Sequence, residues 1–311
     1  MMATTKSAQA DSSQAEWEDG YWWSNDGLRL HFRDYAGPDD RPPVICMPGL
    51  TRNARDFENV AARLAGDWRV ICVEQRGRGE SAYAKDPMTY NPLTYVQDME
   101  ALLAQEKMEQ FISIGTSLGG LMTMLLASMR PGRVVGALLN DVGPDISPEG
   151  LERIREYVGQ GRSFPTWMHA ARWLSELQGS VFPDFALDDW LVMAKRTMKL
   201  SGSGRIVLDY DMKIAEPFQV PGGEAGVDLW PTLAALAETP TLVVRGETSD
   251  IFAPETADKM LTVLNKGRLV TVAGRGHAPT LEEPEVEKAI DALLKDALVA
   301  SEAETQDSID S

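Results

Sequence analysis

The sequence predicts an α/β fold, a parallel sheet covered by helices on both faces and interrupted once by a helical insert. Three observations carry this. The short runs "PVICM", "RVICV", "FISI" and "RVVGALLN" are apolar throughout rather than alternating, which is how strands buried on both faces read. Segments of helical spacing lie between them. The alternation stops at about Pro144 and resumes with "TPTLVVRGE".

In chain order, "GYWWSNDGLRLHFRDYAG" reads as a hairpin. Asn25-Asp26-Gly27 forms its turn, and Leu28, Leu30 and Phe32 alternate on one face. "PPVICMPG" is a buried strand running into a loop, and "WRVICVEQRGRGES" repeats that form with a glycine-rich loop. "NPLTYVQDMEALLAQEKM" places Leu93, Val96, Met99, Leu102 and Leu103 at helical spacing. "QFISIGTS" is the next strand, "LGGLMTMLLASMR" the next helix and "RVVGALLNDVGP" a further strand. From Pro144 the segments "GLERIREYVGQ", "TWMHAARWLSEL" and "LDDWLVMAKRTM" read as helices with no strands between them. Strand signals return in "TPTLVVRGE" and "GRLVTVAG". The last helix, "EPEVEKAIDALLKDALVA", sets Val286, Ile290, Leu293 and Leu294 on one face.

Composition narrows the function. The chain has 311 residues, a formal net charge of −17 and a pI near 4.6, which argues against nucleic acid or an anionic membrane as partner. No apolar run approaches the roughly 18 to 20 residues needed to span a bilayer. The start lacks a basic and apolar signal pattern, and Cys46 and Cys72, each inside a strand-like run, read as buried reduced thiols; a cytoplasmic location is expected. Residues 1–17 read as a disordered leader and 301–311 as a disordered acidic tail. Three histidines, His31, His169 and His277, and the lack of C-x-x-C or H-E-x-x-H argue against a metal site.

The chemistry centres on "GTSLGG". Gly115-Thr116-Ser117-Leu118-Gly119 spells G-x-S-x-G between a predicted strand and a predicted helix. In that context the small residues permit a sharp turn, and the serine stands at the ligand-binding edge of the sheet. The serine needs a base. His277, in "VAGRGHAPT" just after the last strand, is placed for it. His31 reads as structural, and His169 lies in the insert. The base needs a carboxylate to hold its tautomer. Asp250 in "RGETSDIFAP" is preferred, because one helix and one strand fit between it and His277; Asp141 in "LLNDVGPD" and Glu247 are the alternatives. The backbone N–H groups of Leu118 and Leu50 are expected to form an oxyanion hole.

Taken together these stretches resemble the α/β-hydrolase superfamily over about residues 20 to 300. "MPGLTRNARDF" is similar to its oxyanion loop and "EQRGRGES" to the following strand and loop. "GTSLGG" is similar to its nucleophile elbow, "RGETSDIFAP" to its acid loop and "GRGHAPTLEEPE" to its histidine loop. One departure is "CMPGL", where many members read His-Gly. The resemblance implies a mostly parallel eight-stranded sheet, a core of 18–143 and 229–300, a cap of 144–228, and neither cofactor nor metal. The expected activity is that of a serine hydrolase acting on a small or medium carboxylic ester, and the expected state is a monomer or homodimer. Cleavage of a C–C bond, lactone or thioester, acyl transfer, and a ligand sensor that retains the triad use the same residues. Met47, Trp167 and Met168 are expected to contact substrate. Trp173, Trp190, Met193 and Met198 also lie in the insert, where such residues at helical spacing more often pack internally.

Overall fold

The computed structural model describes residues 16–219 and 228–309. The chain opens with the predicted hairpin, β1 (Trp17–Trp23) and β2 (Arg29–Tyr35), and continues through β3 (Val44–Met47), α1 (Glu58–Leu64), β4 (Val70–Glu74), α2 (Pro92–Gln105), β5 (Phe111–Thr116), α3 (Leu118–Met129) and β6 (Val134–Asn140). The inserted segment holds α4 (Pro148–Tyr157), β7 (Ser163–Phe164), α5 (Trp167–Gln178), α6 (Leu187–Thr197), β8 (Met198–Leu200) and β9 (Ile206–Leu208). It is followed by α7 (Trp230–Ala234), β10 (Thr241–Gly246), α8 (Pro254–Val263), β11 (Gly267–Val272) and α9 (Pro284–Ile309).

Eight strands form one sheet in the order β1-β2-β4-β3-β5-β6-β10-β11. The β1–β2 and β2–β4 pairings are antiparallel, and every other pairing is parallel. The continuous apolar runs have a simple cause: successive side chains point to opposite faces, and both faces are covered. Ile45, Met47, Ile71 and Val73 enter one core with α2, α3, α7 and α8. Val44, Cys46, Val70 and Cys72 enter the other with α1 and α9. Both cysteines are free and buried. Burial raises the Cys46 thiol well above its usual value, with Cys72 beside it adding to the effect.

The insert differs from the sequence expectation. Besides its helices it carries a three-stranded sheet, β7-β9-β8, built from strands of two or three residues, too short to show a period. Its own core joins α5, α6 and Phe182, with Trp190, Met193 and Met198 buried within it. Ion pairs tie it to the sheet unit, among them Arg55–Asp209 at 2.5 Å and Arg196 to Glu58 and Glu282 at 3.1 and 2.9 Å. The chain end also differs. Helix α9 continues to Ile309, where a disordered tail is expected from residue 301. The expected leader falls outside the described residues except at its last positions, where Trp17 already begins β1. Among the described residues no helix is long and apolar enough to cross a membrane.

Candidate active site

Strand β5 ends at Thr116 and α3 begins at Leu118, so Ser117 alone makes the turn, with φ 52° and ψ −113°. The two flanking glycines are required by close approach. A β-carbon on Gly115 would lie 2.4 Å from the Gly119 backbone, and one on Gly119 would lie 2.0 Å from the Met47 carbonyl oxygen. The helix therefore starts hard against the end of β3. Gly119→Ala is expected to lower stability by about 1–3 kcal/mol through overpacking. It should also lower kcat by pushing the Met47–Leu50 loop away from the serine. Chemical denaturation and turnover measure the two effects, and a wild-type denaturation midpoint would show that the contact yields without cost.

Three side chains meet at this edge of the sheet. His277 Nε2 lies 3.0 Å from Ser117 Oγ, and His277 Nδ1 lies 2.7 Å from Asp141 Oδ2. The histidine side chain is 12% exposed and the aspartate 0%. The carboxylate also accepts hydrogen bonds from the Gly246 N–H at 2.7 Å and the Ser249 hydroxyl at 2.6 Å. Asp141 sits immediately after β6 with φ 55°, a left-handed conformation that aspartate tolerates better than most residues.

The expectation of Asp250 beside the histidine is corrected by this geometry. Asp250 is exposed and forms a two-pronged ion pair with Arg153 of α4. Strand order gives the reason: β6 lies between β5 and β10, so its end is nearer the serine. The loop after β10 contributes donors to Asp141 instead of a carboxylate. Glu247 accepts from the Gly274 N–H at 2.7 Å, at the surface of the histidine loop. Asn140, which carries no motif signal in the sequence, ties the serine and histidine loops together: its amide donates to Thr116 Oγ1 at 3.1 Å and to the Pro279 carbonyl at 2.9 Å. His31 is buried between Glu74 and Asp19, at 2.9 and 3.0 Å, and His169 is exposed and bonded to Thr166; neither approaches Ser117.

The loop after β3 is held from behind. Gln75 donates to the Pro48 carbonyl at 3.3 Å, and the buried Arg78 donates to the Leu50 carbonyl at 2.8 Å. This explains the glycine-rich stretch after β4: it carries the side chains that orient the peptides around Gly49 and Leu50. Among the described residues, the Leu50 N–H donates no backbone or side-chain hydrogen bond, and the Leu118 N–H opens α3. Two such groups beside a serine suit an oxyanion.

Ser117 and His277 open into a cavity of about 140 Å³ between the sheet edge and the insert. Its apolar wall includes Phe57, Ile154, Tyr157, Trp173, Leu174, Leu177, Phe182 and Met193, and its polar groups include Arg52, Asp56, Gln178 and Arg196. The expected contacts fall elsewhere. Met47 is wholly buried in the sheet core. Trp167 packs on the core of the insert, and neither it nor Met168 lines the cavity. The helix α5 presents Trp173, Leu174 and Leu177 there instead. Burial pushes the phenols of Tyr157 and Tyr210 up, the latter to about 12, so both remain protonated donors at neutral pH. Among the described residues, no three His, Cys, Asp or Glu side chains converge so as to hold a metal ion.

A doubly covered sheet with serine, histidine and aspartate at one rim defines a class, and sequence comparison agrees with it. The profile of the Alpha/beta hydrolase family matches residues 44–289; the chain belongs to this family and is a hydrolase. It is 36% identical over 265 residues to a 3-hydroxybutyrate-oligomer hydrolase of Cupriavidus necator, covering 82% of this chain and 89% of that one. It is 26% identical over 245 residues to a 2-(acetamidomethylene)succinate hydrolase of Mesorhizobium japonicum, covering 79% and 84%. A crystal structure of an alpha/beta hydrolase from Novosphingobium aromaticivorans is 64% identical with a TM-score of 0.88, covering 91% of this chain and 99% of that chain.

Proposed function

We propose that the protein is a serine hydrolase of carboxylic esters, with Ser117 as nucleophile, His277 as base and acid, and Asp141 as the carboxylate that orients His277. The observation that carries this reading is the unbroken relay Asp141–His277–Ser117, at 2.7 and 3.0 Å, opening into a largely apolar cavity. Asp141 accepts from Nδ1–H and so leaves Nε2 unprotonated toward the serine. Ser117 Oγ bonds to the ester carbonyl carbon as its proton passes to Nε2. The carbonyl oxygen takes up negative charge and is met by the N–H groups of Leu50 and Leu118. The C–O bond to the alcohol breaks, and the alcohol leaves with the proton from Nε2. Water then gives a proton to Nε2 and adds its oxygen to the acyl carbon; the acid is released as Oγ recovers the proton.

The apolar wall suits acyl and alcohol parts of modest size, and the relative that hydrolyses 3-hydroxybutyrate oligomers makes short hydroxyacid oligoesters the first substrates to try. A fluorophosphonate probe is expected to add to Ser117, read by peptide mass, and to stop steady turnover of p-nitrophenyl butyrate. Labelling at another residue, or full labelling with no turnover of any ester, would refute the assignment.

A further inference from the structure

Arg52 departs from the loop that holds Leu50, next to the nucleophile. A β-carbon built on Gly49 would lie 3.6 Å from Arg52 Cγ and 3.7 Å from Ser117 Cβ. Both side chains therefore leave the same small region of backbone, and both line the cavity. The guanidinium is held on one side. Nε and Nη2 donate to the two oxygens of Asp56 at 2.6 and 2.8 Å, and Nη2 also meets the sulfur of the buried Met193 at 3.0 Å. Nη1 makes no hydrogen bond among the described residues, and the side chain is 22% exposed. A guanidinium carries five N–H donors in a rigid fork. Asp56 therefore fixes its plane, and with Met193 on Nη2 it leaves Nη1 as the available donor. The hydroxyl of Tyr157, on the same cavity wall, also has no hydrogen-bond partner among the described residues.

Arg196, the other cationic residue on the wall, does not offer this. Its Nε and Nη1 are bound to Glu58 and Glu282, with the side chain 8% exposed. With their partners included, two arginines stand against Asp56, Glu58 and Glu282, so the cavity surroundings carry no excess of positive charge, in a chain of net charge −17. An acidic protein repels an anionic substrate at long range, so any preference for one must come from a local donor such as Arg52.

We infer that Arg52 is a specificity residue that receives a free carboxylate of the substrate through its unpaired Nη1, so that the preferred esters are anions. This rests on the hydrolase reading above. Free hydroxyacid oligoesters belong to this class, because one end is a carboxylate.

The test compares matched pairs differing only in charge. In one pair, 3-butanoyloxybutanoate against 3-butanoyloxybutanamide, the carboxylate lies on the alcohol part. In the other, p-nitrophenyl glutarate against p-nitrophenyl 4-carbamoylbutanoate, it lies on the acyl part. A charged hydrogen bond of ordinary strength predicts that kcat/KM for at least one acid exceeds its amide by about tenfold or more in the wild-type enzyme. Arg52→Gln should bring that ratio close to one, with Arg52→Lys between. Parity in both wild-type pairs, alongside steady turnover of p-nitrophenyl butyrate, would overturn the carboxylate site and leave the hydrolase reading standing. An equal loss on acid and amide in Arg52→Gln would overturn it too, reducing Arg52 to a brace of its loop. No turnover of any ester would remove the hydrolase reading and this inference with it.

Discussion

Ser117→Ala is expected to abolish ester turnover, with kcat falling on the order of 10⁶-fold by analogy with other serine hydrolases whose nucleophile is removed. The fold should not notice. The Ser117 hydroxyl has His277 as its hydrogen-bond partner, while the turn itself is held by backbone bonds, from the Ser117 N–H to the Asn140 carbonyl at 2.9 Å and from the Gly120 N–H to the Ser117 carbonyl at 2.9 Å. Alanine keeps both and adopts the φ of 52° no less readily than serine. The loss should thus fall on kcat, with the denaturation midpoint unmoved and with any slow residual rate coming from the oxyanion donors and substrate binding alone. Initial rates on p-nitrophenyl butyrate, with purified wild type and variant in parallel, measure it. A variant retaining even a few per cent of kcat would mean that another group attacks the carbonyl.

The parts of this site that local sequence encodes were legible, and the parts that depend on strand order were not. Ser117 announces itself because the constraint is local: a strand, one turn residue and a helix that must start between glycines. His277 follows because it stands after the last strand and the chain has few histidines. The carboxylate is different. Asp141 and Asp250 both follow strands, and the spacing argument favoured Asp250. What decides between them is that β6 pairs directly with β5, a non-local fact with no trace in either segment. The cavity wall is hidden for a related reason. Trp167, Met168 and Trp173 share α5, and apolar character alone does not say which side of a helix meets its own core and which meets the sheet edge. Arg52 carries no signal in the sequence, where charge in a loop usually means solvent. Only its pairing with Asp56 and its place beside Gly49 set it apart. The short strands of the insert lie below the length at which a two-residue period can be seen.

The choice between the two aspartates gives the second large prediction. Asp141→Asn should lower kcat by about 10⁴ at neutral pH, whereas Asp250→Asn should change it by no more than about fivefold, since an exposed ion pair contributes about 0–1 kcal/mol. The first effect follows from what surrounds the side chain. Asp141 is 0% exposed and meets three donors, Gly246 N–H, Ser249 O–H and His277 Nδ1–H. An asparagine amide must turn its NH₂ toward one of them. If it keeps its oxygen on the Gly246 N–H, the NH₂ faces Ser249 and His277. The serine hydroxyl can rotate to accept, but the imidazole can accept only as the tautomer with its proton on Nε2. That proton then points at Ser117 Oγ, and the ring can no longer take the serine's own. Folding should survive, because every neighbour can still find a partner. Asp250, by contrast, faces Arg153 at the surface, and losing that pair leaves two groups that water can solvate. Rates on one substrate for both variants, with denaturation midpoints as controls, separate the cases. A collapse of kcat in Asp250→Asn with Asp141→Asn nearly unaffected would move the orienting role back to the loop after β10 and require that loop to rearrange on substrate binding.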